Sequence, residues 1–196
     1  MVIDFHTHRP TPTGVFTPRS FGVHPWKSHL LSVPPIDDVC WQGVDFVGEC
    51  GLDRCKHPSI DVQMACFEKQ LIIAEKLSLT VVVHCVRAFD SLLAMRKQYG
   101  ATPWIVHGFV GGVQQAVQLA EHKILVSIGA ALLDERRTKV RDTLLYLGSK
   151  RLLLETDDSG ADISEIYHTA ASLFGIPIAK LESDIETYYR TLSCNV

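Results

Sequence analysis

Six side chains of the types that ligate divalent metals, His6, His8, Glu49, His84, His107 and Asp157, each stand at the C-terminal end of a short apolar run. The runs cover residues 2–5, 44–48, 81–83, 104–106 and 152–156, and each reads as a β-strand. In parallel α/β architectures ligand sites lie at the carboxyl ends of strands, so residues distant in sequence converge there. Imidazole and carboxylate together accept zinc, manganese, magnesium, nickel or iron, and a pair of such ions supports hydrolysis by an activated water.

His6 and His8 lie two apart on one strand, which turns both rings to the same face and toward one ion. Alone, such a pair reads better as surface or core-edge histidines; four further ligand-type residues at matching strand ends favour the metal. Glu49 follows Gly48 and precedes Gly51, glycines that leave the backbone room to turn. Its two oxygens make it the candidate for a ligand shared by two cations, the alternative being a solvated loop carboxylate. Asp53 reads as an anchor for the loop after it. His84 and His107 each close a strongly apolar strand, where a charged imidazole is costly and a neutral, metal-bound one is not. A buried histidine bonded to backbone is the alternative for either. Asp157 is the candidate both to bind metal and to take a proton from water. Its alternative is a helix N-cap, for which Asp158 or Ser159 is equally suited.

The elements that must position these residues alternate. Strand-like runs at 2–5, 21–23, 44–48, 79–83, 104–106, 124–128 and 152–156 are separated by helical patterns at 61–77, 88–98, 113–122, 136–147 and 163–174. A last helix is expected at 179–192. In the first helix Met64, Phe67, Leu71, Ala74 and Leu77 recur at helical spacing. Repeated strand-then-helix order predicts α/β architecture: a compact or incomplete (β/α)8 TIM barrel with parallel strands, seven of them visible and the eighth not. Residues 10–35, rich in Pro, Thr and Ser, read as active-site loops around one short strand.

The 196 residues, 46% hydrophobic and 21% charged, suit a single domain spanning 1–196. A formal charge of −3 gives no bulk attraction to a polyanion, although a bound metal pair adds local positive charge. Six cysteines without zinc-ribbon spacing, and an N-terminus unlike a secretion signal, predict reduced thiols in a cytoplasmic protein. No apolar run approaches the roughly 18 residues of a membrane span, so no membrane partner is expected.

With these motifs together the chain resembles the TatD-type metal-dependent hydrolases and DNases of the amidohydrolase-like barrel superfamily. The resemblance is carried by Asp4-Phe5-His6-Thr7-His8, by Gly22-Val23-His24-Pro25 and by Gly48-Glu49-Cys50-Gly51-Leu52-Asp53. Gln63, Phe67, Gln70, Leu71 and Ala74 match the family's helix pattern, and His107 and Glu155-Thr156-Asp157 its last two ligand motifs. It implies two divalent ions: one held by His6, His8, Glu49 and Asp157, the other by Glu49, His84 and His107. It also implies hydrolysis of phosphodiester bonds, with DNA or a small phosphodiester as substrate and Asp157 and Glu49 as catalytic residues. His24 and Arg87 are then candidates to hold the substrate anion, although Arg87 can equally pair with Asp90 on its helix. The alternatives are a metal-dependent amidase or esterase on a small molecule, and a metal-binding interaction protein without turnover.

Overall fold

Uninterrupted runs of Val, Ile and Leu are at home in sheets covered on both faces. In the computed structural model, which describes residues 1–193, the runs at 81–83 and 104–106 lie buried in parallel strands, whereas 152–156, expected as a strand, carries only a single parallel bridge at Leu154, with another at Asp157 just beyond it. The strands are β1 (Val2–Ile3), β2 (Val15–Phe16), β3 (Ser20–Phe21), β4 (Phe46–Asp53), β5 (Thr80–Val86), β6 (Trp104–Val106) and β7 (Ile124–Val126). The helices are α1 (Ile60–Leu77), α2 (Phe89–Arg96), α3 (Val113–Glu121), α4 (Thr138–Leu147), α5 (Ile163–Phe174) and α6 (Ile178–Ser193). Packing divides the chain into two compact units. Among the described residues one comprises Met1–Pro18, His107–Glu121 and residues 126–193; the other comprises Arg19–Val106 and His122–Leu125.

In the first unit β1 pairs in parallel with β2, Val2 opposite Val15 and Ile3 opposite Phe16. β2 is a strand the sequence pattern did not show, because two residues between Gly14 and Pro18 are too few to display a period. The chain beyond β1 lies alongside residues 152–157: Phe5 N donates to Leu154 O at 2.9 Å and Asp157 N to His6 O at 2.9 Å. Parallel bridges join Thr7 to Asp157 and Ile128 to Leu154. Ile3, Phe5, Ile128 and Leu152 to Leu154 form the core beneath these segments. α5 covers it with Ile163, Ile166, Tyr167, Ala170 and Ala171, one face at helical spacing. The Tyr167 hydroxyl donates to Ile3 O at 2.9 Å and accepts from Ile3 N at 3.1 Å, tying α5 to β1. α6 buries Leu181, Ile185, Tyr189 and Leu192, and the Tyr189 ring packs against Phe16.

The second unit is built on the parallel sheet ordered β3-β4-β5-β6-β7. β4 and β5 are the longest strands, and α1 covers them. The buried face of α1 differs from the expected stripe: Met64 and Leu77 are only partly covered, while Gln63 and Gln70 are fully buried. Both glutamines are buried because they clamp backbone. Gln70 Oε1 accepts from Val23 N at 2.7 Å and its amide donates to Val23 O at 3.1 Å. Gln63 does the same at Asp53, with 2.6 Å to the N–H and 2.9 Å to the carbonyl. Removing a partner from buried backbone costs about 1–3 kcal/mol. Gln70→Leu is therefore expected to lower the thermal midpoint by several degrees, at roughly 2–4 °C per kcal/mol for a chain of this size. A midpoint equal to that of the unsubstituted protein would mean that the clamp adds no stability.

Cys40, Cys50, Cys55, Cys66 and Cys85 are free thiols, and Cys194 lies outside the described residues. Among the described residues no helix is long and apolar enough to cross a membrane.

Candidate metal centre

The first unit gathers four of the six sequence-derived ligands. His6 and His8, two residues apart, place their rings 4.9 Å from each other, and the His107 ring lies 4.6 Å from His6. Asp157 approaches His8 Nε2 at 3.5 Å through Oδ1 and His107 Nδ1 at 4.0 Å through Oδ2. Donor atoms of His6, His8 and Asp157 all lie within 4.8 Å of one another. Asp157 has a left-handed backbone, φ 53°, a conformation that Asp tolerates better than most residues. Its carbonyl accepts from His8 N at 3.3 Å and from the Thr7 hydroxyl at 3.1 Å, so backbone bonds hold the turn and leave the carboxylate available. None of Asp157, Asp158 and Ser159 caps the following helix; Asp162 does, accepting from Ser164 N at 2.9 Å.

Two buried carboxylates support this group. Asp4 accepts from Thr156 N at 2.9 Å and from its hydroxyl at 2.6 Å, and burial raises its pKa. Glu155 accepts from Gly108 N at 2.6 Å and from the Ser127 hydroxyl, and its Oε1 lies 3.4 Å from His107 Nδ1. Burial works to raise the Glu155 pKa, but His107, His6 and the Ser127 hydroxyl outweigh it, and the carboxyl ends below its ordinary value. A carboxylate behind a histidine fixes ring orientation and raises basicity, as behind metal-binding histidines generally.

The second unit gathers the other two ligands and adds a third donor. Glu49 Oε1 lies 2.7 Å from His84 Nδ1 and 3.1 Å from His24 Nε2, and these three residues again keep donor atoms within 4.8 Å. Neither Glu49 nor His84 ends its strand, as the sequence had suggested: β4 runs four residues past Glu49 and β5 two past His84. The reason lies in the flanking glycines, which permit close approach rather than a turn. A Cβ on Gly51 would stand 2.2 Å from His84 O and one on Gly48 2.4 Å from Val82 O, and both have φ near +140°. The pairing register with β5 slips between Val47 and Cys50, with Glu49 inside the slip.

His24 sits at the head of a 3-10 turn, Pro25–Lys27, where its Nδ1 accepts from Trp26 N at 3.2 Å. His24 therefore lies against Glu49, in the same cluster of donor atoms as His84. Asp53 anchors the next loop as expected, accepting from Cys55 N at 2.7 Å. It also accepts from Trp26 Nε1 at 2.8 Å and lies 3.4 Å from His84 Nε2. Burial opposes ionisation of Asp53, yet the bonds from Trp26, Cys55 and His84 hold its pKa below the usual value. Arg87, exposed and left-handed at φ 51°, joins neither group among the described residues, and Asp90 pairs with Arg54 at 2.7 Å instead.

Sequence reading missed the supporting roles of Asp4 and Glu155, and gave Asp53 its loop-anchoring role but not its place beside His84. The signal was proximity, since each stands two or four residues from a ligand in the sequence. Both groups offer imidazole nitrogen and carboxylate oxygen at mutual distances suited to one cation each, with carboxylates behind His84 and His107. The donor chemistry fits divalent metal.

The family model described as TatD related DNase matches residues 14–162. The chain is similar to the 3'-5' ssDNA/RNA exonuclease TatD of Klebsiella pneumoniae (strain 342), 34% identical over 150 residues, covering 69% of this chain and 55% of that protein. It is also similar to the uncharacterized metal-dependent hydrolase YjjV of Escherichia coli (strain K12), 34% identical over 113 residues and covering 57% and 44% respectively. The chain thus spans about half the length of these curated relatives. Among solved structures, the YjjV crystal structure superposes with a TM-score of 0.75 at 23% identity, covering 93% of this chain and 78% of that one. A TatD family hydrolase from Entamoeba histolytica gives 0.74 at 16% identity, covering 93% and 75%. The parallel α/β fold is that of the TatD structures, and the chain belongs to the TatD related DNase family.

Proposed function

We propose that this chain is a divalent-metal-dependent phosphodiesterase acting on nucleic acid in the cytoplasm. The observation that carries the reading is the pair of ligand groups, His6–His8–Asp157 with His107 beside it, and His24–Glu49–His84, each backed by a buried carboxylate. His6, His8, His107 and Asp157 would hold one ion, and Glu49, His84 and His24 a second. Bound divalent ions supply Lewis acidity and lower the pKa of water.

The chain's own groups supply the proton transfer. Asp157 is the base of choice because its side chain is 34% exposed, against 5% for Glu49 and 0% for Glu155. Water reaches it, and its Oδ1 takes the proton of the attacking water. His8 Nε2, 3.5 Å from that oxygen, holds the carboxylate in place. Glu155 and Asp53 keep the His107 and His84 rings in fixed orientation.

Metal analysis of the purified chain, followed by a panel of phosphodiester, phosphomonoester, ester and amide substrates with Mn²⁺, Mg²⁺ or Zn²⁺, tests this reading. Two equivalents of metal, phosphodiester cleavage and its loss on chelation are expected. Affinity for single strands should fall with salt at about 0.7 log units per phosphate contact per tenfold change. With a net charge of −3, few such contacts and a shallow slope are expected. Salt-insensitive cleavage confined to small esters or amides would move the chain to the other substrate class.

A further inference from the structure

We infer that Trp26, with Lys56 over its ring, is a stacking platform that seats an unpaired nucleobase beside the His24–Glu49–His84 group, an inference that rests on the nucleic-acid reading above. Of the three tryptophans, Trp41 and Trp104 are core residues at 5% and 1% exposure, whereas Trp26 is 44% exposed. Exposure is not looseness here. The indole N–H donates to Asp53 at 2.8 Å, the backbone N–H donates to His24 at 3.2 Å, and the preceding Pro25 is buried. A large apolar ring is therefore held rigid at the surface, where it gains little from burial, by the same residues that orient the ligands.

Its position suits a nucleotide. The ring stands edge-on to His24 at 4.7 Å and to His84 at 5.8 Å between centroids. Lys56 Nζ lies 5.3 Å from the ring centre. Residues 53–60 line an open depression of about 480 Å³ that contains both Asp53, the indole's partner, and Lys56. In the same loop Arg54 is engaged by Asp90, while exposed His57 lies 6.1 Å from the His29 ring. A flat π surface, a cation beside it and a ligand group next to it match a base, its neighbouring phosphate and the phosphodiester to be cut. Every base offers a π face, so such a platform is tolerant of sequence, but bases inside a duplex are already stacked. The site should then prefer single strands and discriminate little among bases.

Tryptophan emission of the whole metal-loaded chain reads this directly, because the other two indoles are buried. Titration with a cleavage-resistant phosphorothioate oligothymidylate should quench emission saturably, and a strand of equal length lacking bases should bind more weakly without quenching. Trp26→Ala should weaken binding of the base-bearing strand by roughly 5- to 150-fold, the range for losing one stacked base. Trp26→Phe should abolish the quench yet keep most of the affinity, a rescue that a purely structural role for the indole N–H would not give. Binding without quenching, equal affinity for the two strands, or equal affinity of Trp26→Ala and the unsubstituted chain would overturn the platform while leaving the nuclease reading intact. If neither strand binds and no phosphodiester is cleaved, both readings fall together.

Discussion

Asp157→Asn is expected to lower kcat by at least roughly 10²-fold, the loss typical of removing a general base, while the fold survives. Asn keeps the shape and one ligand oxygen but cannot accept a proton as a carboxylate does. It also tolerates the left-handed backbone at φ 53° about as well as Asp. The bonds that hold this turn run through the Asp157 carbonyl to Thr7 and His8, not through the side chain, and the helix cap is supplied by Asp162. The thermal midpoint should therefore move little. Measuring kcat, bound metal and midpoint side by side separates the roles. Unchanged kcat would make Asp157 dispensable, a collapsed midpoint would make it structural, and a fall in kcat that tracks metal loss would make it a ligand without a role as base.

How much of this was legible in the sequence depended on how locally each feature is determined. α5 matches its expected span residue for residue, because its buried face, Ile163, Ile166, Tyr167, Ala170 and Ala171, is written at one period. The extent of β4 was not legible. Gly48 and Gly51 look like turn residues until β5 is brought close enough that no Cβ fits between the strands, and only tertiary pairing supplies that fact. The buried face of α1 misled in a similar way: apolar spacing favoured Met64 and Leu77, whereas Gln63 and Gln70 are buried for the backbone groups they clamp at Asp53 and Val23. In the candidate site the residue types could be read from the apolar runs they follow, but their partners could not. His24 reaches Glu49 because Gln70 fixes Val23 just before it and a 3-10 turn follows it, neither of which has a periodic signature. Asp4, Asp53 and Glu155 were visible as carboxylates close to ligands in the sequence. Which carboxylates ligate and which stand behind a ligand is decided by burial and by the donors around them.

Glu49→Gln should do more damage to turnover than replacement of either His6 or His8. Glu49 is the sole carboxylate of its group, it is nearly buried, and a single oxygen lies within 3.1 Å of two imidazole nitrogens. Glutamine fills the same volume and keeps one oxygen, but it removes the negative charge and the second oxygen that a cation or a shared ligand role needs. The affinity loss for the metal held by this group should exceed the roughly 10–100-fold that follows from removing only a partner of a ligand. The number of ions lost then reports the role of the side chain. Loss of one of two equivalents makes Glu49 a ligand of the His24 and His84 ion alone, and loss of both makes it the shared ligand that the family resemblance implies. Full metal content with normal turnover would remove Glu49 from the centre. The histidine variants supply the scale, because His8 is half exposed and His6 shares its group with His8, His107 and Asp157. Each of them leaves a carboxylate in place on the affected ion, and Glu49→Gln does not.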